Sequence, residues 1–244
     1  MKEPVDQLFP RYSRAGYPVL KFVIGGSMKR MYRIGVEGLE NVPMMGNGIV
    51  AANHISFLDS FFIPTVVRRR MTYLAKAEYW DKWRTRWLFE VGGQIPIRRD
   101  DTVKAGAALE AGMRVLNRGG LLGIYPEGTR SPDGACYRGK TGVARMAAEA
   151  NAPVIPVGLI GTREIMPKDR KLPHMRGQVL IRFGRPLSID RVRIGDDPLA
   201  LRTFVDELMF RICELSGQEY HDHYAGKAPK PKPETRELEP VSAA

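Results

Sequence analysis

The chain has 244 residues and a mass of 27.4 kDa, the size of one large domain. Its 43% hydrophobic content excludes general disorder and collagen-like or coiled-coil architecture. With 38 Lys and Arg against 27 Asp and Glu, the net charge of +11 points to a phosphate-bearing partner: nucleic acid, an anionic membrane or a phosphorylated small molecule. Cys136 and Cys213 are too few for a disulfide framework and fit a reducing compartment.

The opening MKEPVDQLFPRY is charged and interrupted by Pro4 and Pro10, so it does not read as a secretory signal. Tyr17 to Tyr32 predicts an amphipathic helix with Leu20, Ile24, Met28 and Met31 as its apolar stripe, and Lys21, Gly25 and Lys29 on another face. It is too short and too charged to span a bilayer. It suits a membrane surface, with Lys21, Lys29 and Arg30 at the headgroups, or an ordinary seat on the core; Gly25 and Gly26 weaken the helix either way. Residues 1–32 are therefore assigned as an N-terminal amphipathic, membrane-contacting segment.

From about Arg33 to Asp190, within a domain assigned to residues 33–225, the chain alternates short apolar runs with longer amphipathic ones. The expected strands are Ile49–Ala52, Met71–Ala75, Gln94–Ile97, Leu121–Tyr125, Val154–Ile160 and Val179–Phe183. The expected helices are Leu58–Arg68, Asp81–Val91, Thr102–Asn117, Thr141–Ala150 and Leu199–Leu215. This pattern predicts an α/β fold: a layered single domain with a mainly parallel, mixed sheet flanked by helices. Residues 226–244 are rich in Pro and Lys, with almost no apolar anchors, and are expected to be a disordered tail.

Two segments at strand ends carry chemistry. After the run GIVAA comes NHISFLDS, in which His54 precedes Asp59 by five residues. In one continuous helix those side chains would diverge by about 140°. With His54 in the loop and Asp59 in the first helical turn they can meet, and the carboxylate would hold the imidazole as a general base. The same spacing also suits a histidine satisfied by backbone beside a helix N-terminus; Ser56 is the expected N-cap. The second segment, PEGTRS, follows strand Leu121–Tyr125. Here Gly128 permits a tight turn, Thr129 and Arg130 offer donors for a phosphate or carboxylate, and Glu127 can orient Arg130 or bind a hydroxyl. Lys76 and the pair Arg98–Arg99 stand at two further strand ends. With four histidines and no second ligand pair at metal spacing, no metal site is expected.

Taken in order, NHISFLDS, GGQIPIRR, YPEGTRS and VIPVG resemble the four blocks of the glycerolipid acyltransferase family that includes the 1-acylglycerol-3-phosphate acyltransferases. The resemblance runs from about Gly35 to Phe183, with Tyr125 where that family usually has Phe. It implies His54 as base, Asp59 as its partner, and Lys76, Arg99, Glu127, Gly128, Thr129 and Arg130 as substrate-binding residues. It also implies an acyl transfer from acyl-CoA or acyl-carrier protein to the free hydroxyl of a lysophosphatidic acid, giving phosphatidic acid, with no cofactor. Glycerol 3-phosphate or another lysophospholipid or glycolipid is the alternative acceptor. The N-terminus departs from the longer membrane-embedded segment that family members often carry; from the charge and the amphipathic helix the expected setting is peripheral, at an anionic membrane on the cytoplasmic face of the cell membrane.

Two rivals were weighed. Residues 134–141, GACYRGKT, match the P-loop pattern GxxxxGK[ST], but the preceding strand ends well upstream and no magnesium-binding strand is evident; the alternative is a turn at Pro132–Gly134, with Arg138 and Lys140 on a basic rim near the acceptor or donor phosphates. Arg68–Arg70, Arg98–Arg99 and Lys168–Lys171 could form a nucleic-acid surface. The aromatics Tyr79, Trp83 and Trp87, however, repeat at helical spacing, which suits core or interfacial packing better than base stacking. The expected partners are therefore lipid and acyl carrier, and no nucleic acid.

Overall fold

In the computed structural model the described residues are 11–81, 83–97, 103–167, 170, 172–189 and 197–226. Helix α1 (Arg11–Met31) leads into strand β1 (Tyr32–Glu37), then β2 (Gly48–Ala52), α2 (Asp59–Val66), β3 (Met71–Lys76), α3 (Trp83–Val91) and β4 (Ile95–Ile97). Next come α4 (Val103–Asn117), β5 (Leu121–Ile124), β6 (Cys136–Tyr137), α5 (Gly142–Ala150), β7 (Val154–Ile160) and α6 (Thr162–Ile165). Strand β8 (Gly177–Phe183), helix α7 (Pro198–Ser216) and strand β9 (Tyr220–His221) complete the order.

Seven strands form one sheet in the order β1-β8-β7-β2-β5-β3-β4. All its pairings are parallel except β7 with β8, so the sheet is mixed and mainly parallel. Strand β2 lies near the middle and is buried along its whole length, as expected for a strand covered on both faces. Its side chains alternate between two cores: Ile49 and Ala51 join the layer of α4, α5 and α7, while Val50 and Ala52 join that of α1 and α2. The short pair β6 and β9 forms a second sheet.

Every expected element is present, with ends moved by a few residues. Strand β1 and the β6–β9 pair were not expected: β1 alternates weakly, and two-residue strands leave no periodicity to read. Tyr79 sits in a 3-10 turn ahead of α3, so it does not continue a helical aromatic face with Trp87.

Helix α1 runs through Gly25 and Gly26 without a break and packs on α2 and α3. A Cβ at Gly25 would already touch Thr65 at 3.4 Å, so the small residue sets how closely α1 and α2 approach. The stripe of Leu20, Ile24 and Met28 turns inward, with Met28 in the core. Lys21 also points inward, contrary to the expected place among headgroups. Its ammonium donates to the carbonyls of Val67, Arg68 and Arg69 at the end of α2, and burial, with Lys29 adding, lowers its pKa. Among the apolar residues that α1 leaves exposed are Val19, Phe22 and Val23.

At the end of β7, Gly161 adopts φ 86° and turns the chain into α6. A Cβ there would stand 2.1 Å from the carbonyl oxygen of Gln178 in β8. Both the left-handed backbone and the contact demand glycine. Gly161→Ala is expected to cost about 2 kcal/mol or more, read as a lowered urea midpoint with unchanged m-value.

Candidate active site

Strands β2, β5, β3, β4 and β7 all run in one direction, so their carboxyl ends share one edge of the sheet. That edge is where α/β sheets gather ligands. The loop after β2 brings His54, the turn after β5 brings residues 126–131, and the turn after β7 brings Thr162.

Asp59, the first residue of α2, is fully buried. Its Oδ2 accepts from the backbone N–H groups of Ile55 and Ser56, both at 2.8 Å, and lies 2.9 Å from His54 Nδ1. Its Oδ1 accepts from the hydroxyl of Thr162 at 2.6 Å. A carboxylate so surrounded only accepts, which assigns the hydrogen to Nδ1 and leaves Nε2 of His54 its lone pair. The imidazole also stacks on Tyr125, centroids 3.9 Å apart and planes 10° off parallel, and Tyr125 bonds Ser60 through its hydroxyl at 2.9 Å. Ring and tautomer are thus fixed from two sides, and His54 keeps a partly exposed edge.

Asn53 extends β2 through its side chain: Oδ1 accepts from Leu159 N–H at 2.7 Å and Nδ2 donates to Leu159 O at 2.9 Å. The backbone N–H of Ser131 donates to His54 O at 2.7 Å, tying the two loops together. Ser56 is not the N-cap. That position belongs to Leu58, while Ser56 donates to Met166 O and accepts from Leu58 N–H.

Beside His54 lies a cavity of about 380 Å³ between α1, α2, α3 and β3. Leu20, Ile24, Phe61, Pro64, Leu88 and Phe89 form apolar wall, and His54, Thr129 and Arg130 contribute polar lining. The volume is that of a small-molecule site. Among the described residues no ion pair or hydrogen bond engages the Arg130 guanidinium.

Glu127 does not join this lining. It is 2% exposed, and neither carboxyl oxygen has a hydrogen-bond partner among the described residues. Burial pushes its pKa up to about 9, with Cys136 and Asp59 adding to the push. The backbone of His54 and Tyr137 faces it outside hydrogen-bond geometry and opposes the shift. The next residue, Gly128, takes φ 76° to close the turn. Lys76 ends β3 at the same edge, but its side chain lies outside the described residues, as do Arg98 and Arg99 altogether.

The P-loop pattern at 134–141 does not fold as one. Its centre is strand β6, paired with β9, and Lys140 N–H donates to Pro126 O at 2.8 Å, folding the segment back on the preceding turn.

The acyltransferase family model matches residues 33–160. The chain belongs to the acyltransferase family. Among its relatives, a chloroplastic 1-acyl-sn-glycerol-3-phosphate acyltransferase of Arabidopsis thaliana is 29% identical over 75% of this chain and 52% of its own length. A 1-acyl-sn-glycerol-3-phosphate acyltransferase of Borreliella burgdorferi is 30% identical over 56% of this chain and 55% of its own length. The chain thus spans about half the length of the curated relatives it matches. Its fold is similar to the crystal structure of the 1-acyl-sn-glycerophosphate acyltransferase PlsC from Thermotoga maritima. The TM-score is 0.66 and the identity 29%, over 86% of this chain and 84% of that one.

Thr162 is the residue that sequence reasoning missed. It stands 103 positions from Asp59 and meets it only through the register of β7 against β2. Glu127 carries a stability signature. With its folded pKa raised, the native state holds a proton that the unfolded chain releases, so stability is fullest below the ordinary carboxyl range. It falls as pH rises toward about 9. Chemical denaturation across pH 5–9 should show this decline in the wild type and its absence in Glu127→Gln.

Proposed function

We propose that this protein transfers a fatty acyl chain from a thioester donor, acyl-CoA or acyl-carrier protein, to the free hydroxyl of 1-acylglycerol 3-phosphate. The observation that carries the reading is the His54–Asp59 pair, oriented by Tyr125 and Thr162, facing an apolar cavity that Arg130 also lines. The names of the relatives point to the same reaction.

In this mechanism Nε2 of His54 takes the proton of the acceptor hydroxyl, and the oxygen attacks the thioester carbonyl. Asp59 stabilises the imidazolium that forms, with its own position held by three further donors. Collapse of the tetrahedral intermediate breaks the C–S bond, and the imidazolium returns the proton to the departing thiolate. The acyl chain occupies the cavity beneath His54. The acceptor phosphate is bound by Arg130, with Lys76 and Arg99 as the cations the family resemblance adds; Thr129 and Gly128 shape the same turn. No step uses a cofactor.

Attachment is peripheral, on the cytoplasmic face of the cell membrane. In support, no helix among the described residues is long and apolar enough to cross a membrane. Val19, Phe22 and Val23 give α1 an exposed apolar face, with Lys29 and Arg30 near its end for anionic headgroups. The free thiols of Cys136 and Cys213 fit a reducing compartment.

The decisive assay follows thiol release from acyl-CoA with a panel of acceptors, products being identified by mass spectrometry. Product should form with 1-acylglycerol 3-phosphate in preference to glycerol 3-phosphate or an uncharged lysolipid. His54→Ala and Asp59→Asn should lower kcat by about 10²–10⁴-fold with the fold intact. Turnover equal to wild type in either variant sinks the mechanism. Thr162→Val should lower kcat by about tenfold and leave both KM values within twofold, as expected of a residue that only positions Asp59.

A further inference from the structure

Lys140 lies in the glycine-lysine segment that does not fold as a P-loop and that the sequence places on a basic rim. Its side chain lies across the turn after β5. A Cβ built on Gly128 would stand 2.9 Å from both Cε and Nζ of Lys140. Gly128 is therefore doubly required, for its positive φ and for the room it gives this lysine. The backbone N–H of Lys140, bonded to Pro126 O at 2.8 Å, fixes the residue on the turn. The ammonium thus rests one residue from Thr129 and two from Arg130, both of which line the cavity.

Among the described residues no carboxylate makes an ion pair with Lys140, although the turn it lies across carries two acids. Glu127 is buried, and among the described residues its carboxyl oxygens have no hydrogen-bond partner. Asp133 is fully engaged, accepting from Tyr137 Oη at 2.7 Å, Ala135 N–H at 3.0 Å and Ser131 Oγ at 3.2 Å. Arg130 has no partner among the described residues either. Arg130 in this turn and the Lys140 side chain laid across it thus lack a counter-charge among the described residues, and a bound dianion would supply one.

We infer that Lys140 is a substrate-binding residue that, together with Arg130, holds a phosphoryl dianion at the turn after β5. The inference rests on the acyltransferase reading. Either substrate can supply that dianion: the acceptor through its glycerol phosphate, or the donor through the phosphates of its carrier.

The test uses the full chain as wild type, Lys140→Met and Lys140→Arg. Methionine keeps an apolar stem on Gly128 and removes only the charge, so loss of function is not loss of the turn. In one arm, KM is measured for 1-acylglycerol 3-phosphate and for the phosphate-free 1-acylglycerol. In the other, it is measured for acyl-CoA and for acyl-pantetheine, which lacks the nucleotide phosphates. Lys140→Met should raise KM about tenfold for one phosphorylated substrate, the scale of one charge-assisted hydrogen bond. Its phosphate-free counterpart should be unaffected, kcat should stay within about twofold, and Lys140→Arg should restore affinity. The arm that responds names the source of the phosphate. Unchanged KM in both arms, or equal shifts with and without phosphate, overturns the inference. Calorimetric titration of 1-acylglycerol 3-phosphate and of CoA gives the same comparison without turnover. Failure of the wild type to transfer acyl groups therefore counts against the acyltransferase reading alone. Equal affinities of wild type and Lys140→Met for both probes count against Lys140.

Discussion

The buried carboxylate of Asp59 is the constraint around which the site is assembled. A fully buried carboxylate is costly unless its lone pairs are filled, and here four donors fill them. Two are backbone N–H groups of the loop that carries His54, one is the imidazole, and one is a hydroxyl delivered by β7. The same group therefore bends the loop into shape, selects the histidine tautomer and joins two strand ends. Orientation of the base is not added to a finished fold. It is how the fold satisfies the buried carboxylate of Asp59.

The parallel centre of the sheet makes that convergence possible. Because β2, β5 and β7 run side by side in one direction, their connections emerge together, and hydrogen bonds between connections extend the ladders beyond the strands. Asn53 pairs with both backbone groups of Leu159, and Ser131 N–H reaches His54 O. Each bond joins a motif segment to the neighbouring one. The tight turn at Gly161 then places Thr162 against Asp59 rather than out in solvent. Rigidity of this kind holds the His54 imidazole in one geometry, which is what the proposed role as general base requires.

Local chemistry was readable from the sequence, and long-range chemistry was not. The five-residue spacing of His54 and Asp59 encodes a loop followed by a helical turn, so their contact follows from local geometry once the strand end is placed. Alternation of apolar runs likewise gave the layered sheet, because period and length are local properties. Thr162 and Tyr125 escaped as partners of the pair because their contacts depend on strand order, which no spacing records. Helix α1 was ambiguous for a different reason. A helical wheel shows two faces but not which is covered, and Lys21, polar by type, proved to be directed at backbone carbonyls. Glu127 reads as a ligand-binding acid by motif, yet it is buried behind the turn, where the backbone gives it no bond.

The basic surplus can be divided by what each cation touches. Lys21 closes the carboxyl end of α2, and Arg69 donates to the carbonyls of Pro43, Gly46 and Gly119, stitching three loops. Arg202 bonds Gly139 O as well as Asp206. These cations replace water at orphaned carbonyls, and their charge says nothing about a ligand. Arg130 and Lys140 differ in kind: one stands in the turn after β5 and the other lies across it, and no carboxylate or carbonyl among the described residues engages them. A positive charge with a backbone partner is explained by the fold, whereas two neighbouring cations without one are explained by what the fold binds. By that criterion the turn after β5, at the same edge of the sheet as His54, is where the fold leaves positive charge for a ligand.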